Sequence, residues 1–334
     1  MNFKSNIMQF QQIIHYVHGR HLRTDCPEAQ AAIIGTGAHK PVVEALLSLY
    51  AHRHTTPVLH VECAENEVAD RINDCRQRNI VAIIAGNTHF QPDEQPFSAA
   101  VVAPAANMRS VELYRPVLEH PQLDIFSVIG FQTYLTAAGD IKWLHEQGYE
   151  TLRLGAFRDC PAEAEPLLRE AHHVFFDLNA LRASDSPEMH QLSPNGLYAE
   201  ELCQLAAYSG RSPKLQTFRL FHFLPALTST SLTAQTAAQT LWHLLEGIAV
   251  RHQWHIPNST AHIEKIIVDT GENGQSITFL HDTIAGYWWL QIPLTGGSHR
   301  YIACLQEDYR CACRHEVPVR WLHYFQKFNL KRDG

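Results

Sequence analysis

The sequence predicts an α/β protein: three layers, α/β/α, with helices on both faces of a mainly parallel sheet of about eight strands, followed by a C-terminal extension of different texture. Three observations carry this reading. Short apolar runs alternate with helical patterns over most of the length, which is the pattern of βαβ units. The chain has 334 residues, 45% of them hydrophobic, and a single core stops growing at roughly 250 to 300 residues, so one main domain with an appendage fits. Beyond residue 255 the alternation gives way to runs of hairpin type.

The expected strands lie at 31–35 (AAIIG), 58–61, 80–85 (IVAIIA), 99–103 (AAVVA), 123–129, 151–154, 173–177 (HVFFD) and 215–221. Each is a run bounded by Gly, Pro, Asn or charged residues, as buried parallel strands are. Helices are expected between them at 41–52, where Val42, Leu46, Leu47 and Tyr50 recur at helical spacing, and at 68–78, 163–171, 198–209 and 233–251. In the last, Ala234, Ala237, Ala238, Leu241, Leu244 and Leu245 form an apolar stripe suited to closing the main domain against the sheet.

The main domain is therefore assigned to 1–255 and the extension, packed on the core, to 256–334. In the extension, 263–270 and 275–279 flank Gly271, Asn273 and Gly274 as a β-hairpin, 287–293 (YWWLQIP) is a third strand, and 307–313 and 320–329 are short helices. Trp288 and Trp289 point to opposite faces of their strand, so one is expected in the core and the other under the tail or a partner protein. Tyr309 and Trp321 join them as candidate interface residues, while Asp308, Tyr309, Arg320 and Trp321 also suit pinning the tail by aromatic packing and an ion pair.

A balance of 27 basic against 34 acidic residues, net −7, is too mild to suggest a nucleic-acid partner. No run reaches the roughly 20 apolar residues that span a bilayer, and His and Gln interrupt residues 1–20 where a signal peptide would need an apolar stretch. A cytoplasmic location is expected. The eight cysteines are scattered through a chain too long to need staples, which favours reduced thiols. Cys304, Cys311, Cys313 and His315 lie close in sequence but lack a CxxC knuckle, and whether they bind zinc stays open.

Residues 173–187, HVFFDLNALRASDSP, resemble the ureohydrolase signature Ser-Phe-Asp-x-Asp-x-x-Asp-Pro, with Asp177 at the first aspartate. Residues 193–197 (SPNGL) stand where that family, which includes arginase, agmatinase and formimidoylglutamase, has a Gly-Gly-Leu turn. Residues 80–89 (IVAIIAGNTH) resemble its strand ending in Gly-Gly-Asp-His, and 99–107 (AAVVAPAAN) its strand ending in Asp-Ala-His-x-Asp. The resemblance covers about 30–255 and is nearest to divergent formimidoylglutamase-like proteins, some with endings similar to the Trp288-Trp289 strand and to 307–321. It implies an arginase-like fold.

The family holds two Mn²⁺ with six ligands, and the bridged hydroxide attacks a guanidinium or amidine carbon. Carried over position by position, the resemblance implies that His89 and Asp177 remain as vestigial ligands, whereas Ala103, Ala105, Asn107 and Asn179 stand at degenerate positions. Arg182 and His222 occupy former substrate-side positions, where the family has an aspartate and a substrate-gripping glutamate. Hard divalent ions need carboxylates to offset their charge, and alanine offers no donor. No metal and no catalytic residue are therefore expected.

The expected function is that of a catalytically inactive ureohydrolase-fold protein with an unidentified protein partner, as a binding or scaffolding module. One alternative is a C–N hydrolase of linear amidines with a reduced metal site, which would need Mn²⁺. The other is a metal-free small-molecule sensor in which Arg182, Asn107, Asn179 and His222 line the old cleft. Arg182 could bind an anion there or pair with Asp185 or Asp177. A homo-oligomer also stays open, since ureohydrolases commonly form trimers or hexamers.

Overall fold

The structure, a computed structural model, describes residues 9–17, 26–37, 39–51, 56–86, 95–222, 227–251, 262–270 and 276–330. The chain divides into two compact units, one of Met1–Trp143 with Tyr149–Arg251, the other of Leu144–Gly148 with the residues from His252 onward.

The larger unit is built on nine strands: β1 (Ile14–Val17), β2 (Ala31–Gly35), β3 (Val58–Glu62), β4 (Val81–Ala85), β5 (Phe97–Val102), β6 (Leu123–Phe131), β7 (Glu150–Arg153), β8 (His173–Asp177) and β9 (Thr217–Phe221). They form one sheet in the order β1-β3-β2-β4-β9-β8-β5-β6-β7, and every pairing is parallel. The central strands are buried from end to end, β2 and β4 included, as strands covered on both faces must be.

The helices are α1 (Lys40–Leu47), α2 (Val68–Gln77), α3 (Arg115–Leu118), α4 (Ala138–Glu146), α5 (Leu154–Asp159), α6 (Ala164–Arg169), α7 (Ala199–Arg211) and α8 (Leu232–Val250). Alternation along β2 shows how the two faces are covered. Ala31 and Ile33 pack with Val42 and Leu46 of α1 and with the stripe of α8, whereas Ala32 and Ile34 pack with Val68, Ile72 and Cys75 of α2. Leu241, Leu244, Leu245 and Ile248 of α8 are fully buried, each stabilising by about 1.5–3 kcal/mol relative to exposure. Helices α7 and α8 touch backbone to backbone, because a Cβ on Gly210 would stand 2.2 Å from the Leu244 carbonyl oxygen.

In the second unit β10 (Ile263–Asp269), β11 (Ser276–Asp282), β12 (Trp288–Pro293) and β13 (His299–Cys304) form an antiparallel sheet in sequence order, followed by α9 (Gln306–Cys313) and α10 (Val319–Asn329). Trp288 and Trp289 are both buried, at 7% and 4% exposure. Trp288 stacks between His281 at 4.1 Å and Tyr309 of α9 at 4.8 Å, while Trp289 packs with Leu280 and Ala303. Trp321 is 4% exposed, stacks on Phe325 and donates its indole N–H to the Gln291 carbonyl. The three indoles thus lie in the interior of their own unit, and Tyr309 of the tail, half-buried, covers Trp288. The ion pair Arg320–Asp308 is formed at 3.3 Å.

Other differences have local causes. The sheet has a ninth strand, β1, whose only buried residues, Ile14 and Val17, flank His15 and Tyr16. Helix α4 buries only Leu144 and so shows no stripe, and α5 begins at Leu154, one residue after β7. The helix expected over 41–52 ends at Leu47, where the Ser48 hydroxyl donates to the Ala45 carbonyl. The turn expected at Gly271, Asn273 and Gly274 lies outside the described residues. None of the eight cysteines forms a disulfide, and among the described residues no helix is long and apolar enough to cross a membrane.

Candidate functional site

Parallel strands bring all their carboxyl ends to one edge, where loops can gather functional groups. Register decides which groups meet there. Val102 of β5 is level with Phe176 of β8, so Ala103 stands beside Asp177, and Asp177 is level with Phe221 of β9, so His222 follows directly. The positions that the resemblance singled out in three separate segments are thus neighbours at one edge. His89 lies outside the described residues.

Asp177, 5% exposed, closes β8 and caps the 3-10 turn Leu178–Ala180 by accepting the Asn179 N–H at 2.9 Å. The same carboxylate oxygen lies 2.8 Å from Nδ1 of His222. Asn179 places its amide nitrogen 2.9 Å from that Nδ1, and its amide oxygen accepts the backbone N–H of Gln191 at 3.1 Å. One ring nitrogen serves one partner at a time, and the ionised carboxylate is the stronger acceptor, so we assign the proton to Nδ1, donated to Asp177. His222 holds φ +67°, a left-handed conformation uncommon for non-glycine residues.

The surrounding positions supply little charge. Ala103 and Ala105 are buried methyl groups, and Asn107 follows at the start of the turn Met108–Ser110. Tyr114, fully buried, packs edge-on against Phe175 and Phe221, and its hydroxyl has no hydrogen-bond partner. Burial, reinforced by Asp177, pushes its phenol well above the usual range.

Arg182 donates through Nε to Asp185 at 2.7 Å and stacks over Tyr198 at 4.2 Å, with Arg158 over the same ring at 4.3 Å. Of the partners the sequence left open for Arg182, Asp185 is therefore the one it takes. The loop 193–197 is sewn to this region by the Leu197 N–H to Ala180 carbonyl bond at 2.7 Å and the Arg182 N–H to Leu197 carbonyl bond at 3.1 Å. Gly196 is required there, because a Cβ would fall 2.6 Å from the Ala180 oxygen.

The donor set does not fit two Mn²⁺. Among positions 103, 105, 107, 177 and 179 there is one carboxylate, and its Oδ1 is already engaged by a backbone N–H and an imidazole. Two divalent ions roughly 3.5 to 4 Å apart need several bridging carboxylates. Cys304, Cys311, Cys313 and His315 are not among the side chains that the described residues gather as a possible ligand set.

Among the described residues, the one group of three or more potential ligands gathered to hold an ion is His39, His60 and Glu62, which the sequence reading missed. His60 and Glu62 alternate along β3 onto the face that α1 covers, and His39 stands immediately before α1 at its N-cap position. Nε2 of His39 and Nε2 of His60 are 2.8 Å apart. Burial lowers the pKa of both, His39 to about 4 with help from His60. The available signal was the His-x-Glu spacing on a strand, which puts both side chains on one face.

No family model matches the chain. A curated relative, formimidoylglutamase of Bacillus subtilis (strain 168), is 29% identical over 89 residues, 26% of this chain and 28% of the relative. Among solved structures, the chain is similar to Trypanosoma cruzi formiminoglutamase with Mn²⁺, at TM-score 0.61 and 15% identity over 69% of this chain and 96% of that one. It is similar to Bacillus subtilis formimidoylglutamase at TM-score 0.60 and 13% identity over 75% and 95%. These likenesses show that the larger unit has the arginase-superfamily fold.

Proposed function

We propose that this chain keeps the arginase-superfamily fold as a cytoplasmic binding or scaffolding module for a protein partner and does not hydrolyse guanidines or amidines. The observation that carries this reading is the state of Asp177. It is the one carboxylate among the described positions assigned to metal, and it serves as an acceptor for Asn179 N–H and His222 Nδ1–H. With methyl groups at 103 and 105, no second acidic ligand stands beside it.

Support for a partner surface in the C-terminal unit moves from the buried tryptophans to exposed apolar residues of its last helix, Val319 at 83% and Leu322 at 44%. Eight cysteines without a disulfide in a chain of this size favour a reducing compartment. Against the sensor alternative, Arg182 already gives its Nε–H to Asp185.

The competing reading, a C–N hydrolase of linear amidines with a reduced metal site, is favoured by the likeness to Bacillus subtilis formimidoylglutamase and would rest on Asp177 and His89. Incubation with excess Mn²⁺, desalting and elemental analysis, run beside that relative, separates the two. We expect no paired Mn²⁺ and no release of formamide or urea from formimidoylglutamate or arginine. Two Mn²⁺ per chain together with Mn²⁺-dependent release would overturn the proposal and establish the hydrolase.

A further inference from the structure

We propose that His39, His60 and Glu62 form a divalent transition-metal site at the carboxyl ends of β2 and β3, with Zn²⁺ the ion its donor set fits. Two imidazoles and a carboxylate suit a borderline ion, and three protein ligands leave a fourth position for water. The ligand atoms of the three residues all lie within 4.8 Å of one another. Around a tetrahedral ion with bonds of about 2.0–2.2 Å such atoms stand roughly 3.3–3.6 Å apart, so the imidazole pair, at 2.8 Å, must open by about half an ångström.

The fold builds this cluster deliberately. Ile33 of β2 is level with His60 of β3, and Gly35 with Glu62, so the chain leaving β2 passes over the His60 face before entering α1. Gly35 makes room for the His39 ring, since a Cβ there would overlap it at 2.0 Å. His39 is 0% and His60 3% exposed, Tyr16 covers His60 edge-on at 4.9 Å, and Glu62 is half-exposed and paired with Lys40 at 3.3 Å. The two ligands that lose most freedom on binding are thus already fixed, and the third is free to swing.

Proton positions favour ligation at His60 and require a shift at His39. Gly37 N–H donates to Nδ1 of His39 at 3.2 Å, so the His39 proton sits on Nε2 and is donated to Nε2 of His60. The His60 proton then occupies Nδ1, which is buried without a partner. An imidazole that ligates through Nε2 carries its proton on Nδ1, so His60 already holds the ligating tautomer. On binding, the ion replaces the hydrogen bond between the rings, the His39 proton moves to Nδ1, and the long Gly37 bond is given up.

The site is distinct from the Asp177 cluster: β3 and β8 are four strand positions apart, roughly 19 Å at about 4.8 Å per strand. The proposal does not rest on the absence of hydrolase activity, and its test reads a different ion.

Full-length protein stripped with a chelator is titrated with Zn²⁺ against a competing chelator, and separately with Co²⁺ to read ligand-field absorption. One ion per chain is expected. Glu62→Gln, at a half-exposed position, should weaken Zn²⁺ at least roughly tenfold, the lower range for loss of an outer partner. His39→Gln should abolish the Co²⁺ bands with the far-ultraviolet dichroism kept, and Asp177→Asn should leave binding intact. Failure to bind one Zn²⁺, retention of full affinity in Glu62→Gln, or loss of the ion in Asp177→Asn would overturn the assignment. If His39→Gln does not fold, Glu62→Gln and Asp177→Asn decide alone.

Discussion

Asp177→Ala separates a structural carboxylate from a working ligand. The side chain accepts a buried backbone N–H at 2.9 Å and an imidazole N–H at 2.8 Å, and hydrogen bonds to charged groups contribute about 1.5–3 kcal/mol each. His222 is 29% exposed at its side chain, so water takes over part of that bond and its share falls to the low end. Alanine also strands the Asn179 N–H, and the sum is a loss of about 3 kcal/mol. Asp177→Asn keeps an oxygen for Asn179 and loses the charge, at about 1 kcal/mol. A carboxylate held for chemistry behaves in the opposite way, because active sites store strain that truncation relieves. Urea denaturation of the chelator-treated protein measures both variants against the parent. Equal or higher stability of Asp177→Ala, or equal losses in the two variants, would refute the reasoning.

Two further measurements test the packing and the buried histidines. Gly210→Ala drives a methyl group to 2.2 Å from the Leu244 oxygen, whereas Gly155→Ala in α5 meets nothing within 4 Å. The first should destabilise by about 2 kcal/mol despite alanine's helix propensity, and the second should stabilise by about 0.5 kcal/mol; denaturation midpoints moving in the same direction would refute the close helix crossing. For His39, burial lowers the folded pKa to about 4 against about 6.5 unfolded. Between those values the unfolded chain binds the extra proton, so stability is complete above pH about 6.5 and is lost as pH falls toward 4, by about 3 kcal/mol for this residue. His172, lowered to about 4 by burial, adds to the slope. Midpoints of the metal-free protein measured from pH about 7 to about 4.5 should fall, and more gently in His39→Gln.

Elements that are locally complete were legible. β2 and β8 match their expected bounds because AAIIG and HVFFD are continuous apolar runs with clear ends. Strands β1 and β13 were missed because half of each is polar, and only pairing with β3 and with β12 makes them strands. The Asp177 neighbourhood was legible as a list of positions, but the bond to His222 depends on the register between β8 and β9. His39 and His60 were not legible together, because they are 21 residues apart and meet only through the order β3-β2 and the turn into α1.

The two clusters at the carboxyl edge differ in how well they satisfy themselves, and that difference separates their roles. Asp177 accepts the Asn179 N–H and the His222 Nδ1–H, and the Asn179 amide oxygen accepts the Gln191 N–H, so the acceptors of this corner are in use, beside a neutral Tyr114 hydroxyl without a hydrogen-bond partner. His39 and His60 instead face each other through the atoms that would ligate an ion and leave a buried N–H without an acceptor. Packing alone gives no reason to bury two imidazoles in that relation, since an apolar pair of similar volume avoids the desolvation. An ion between them accounts for both the pairing and the glycine that admits the ring. The carboxyl edge of the sheet thus carries, four strand positions from Asp177, a donor set suited to a divalent transition metal.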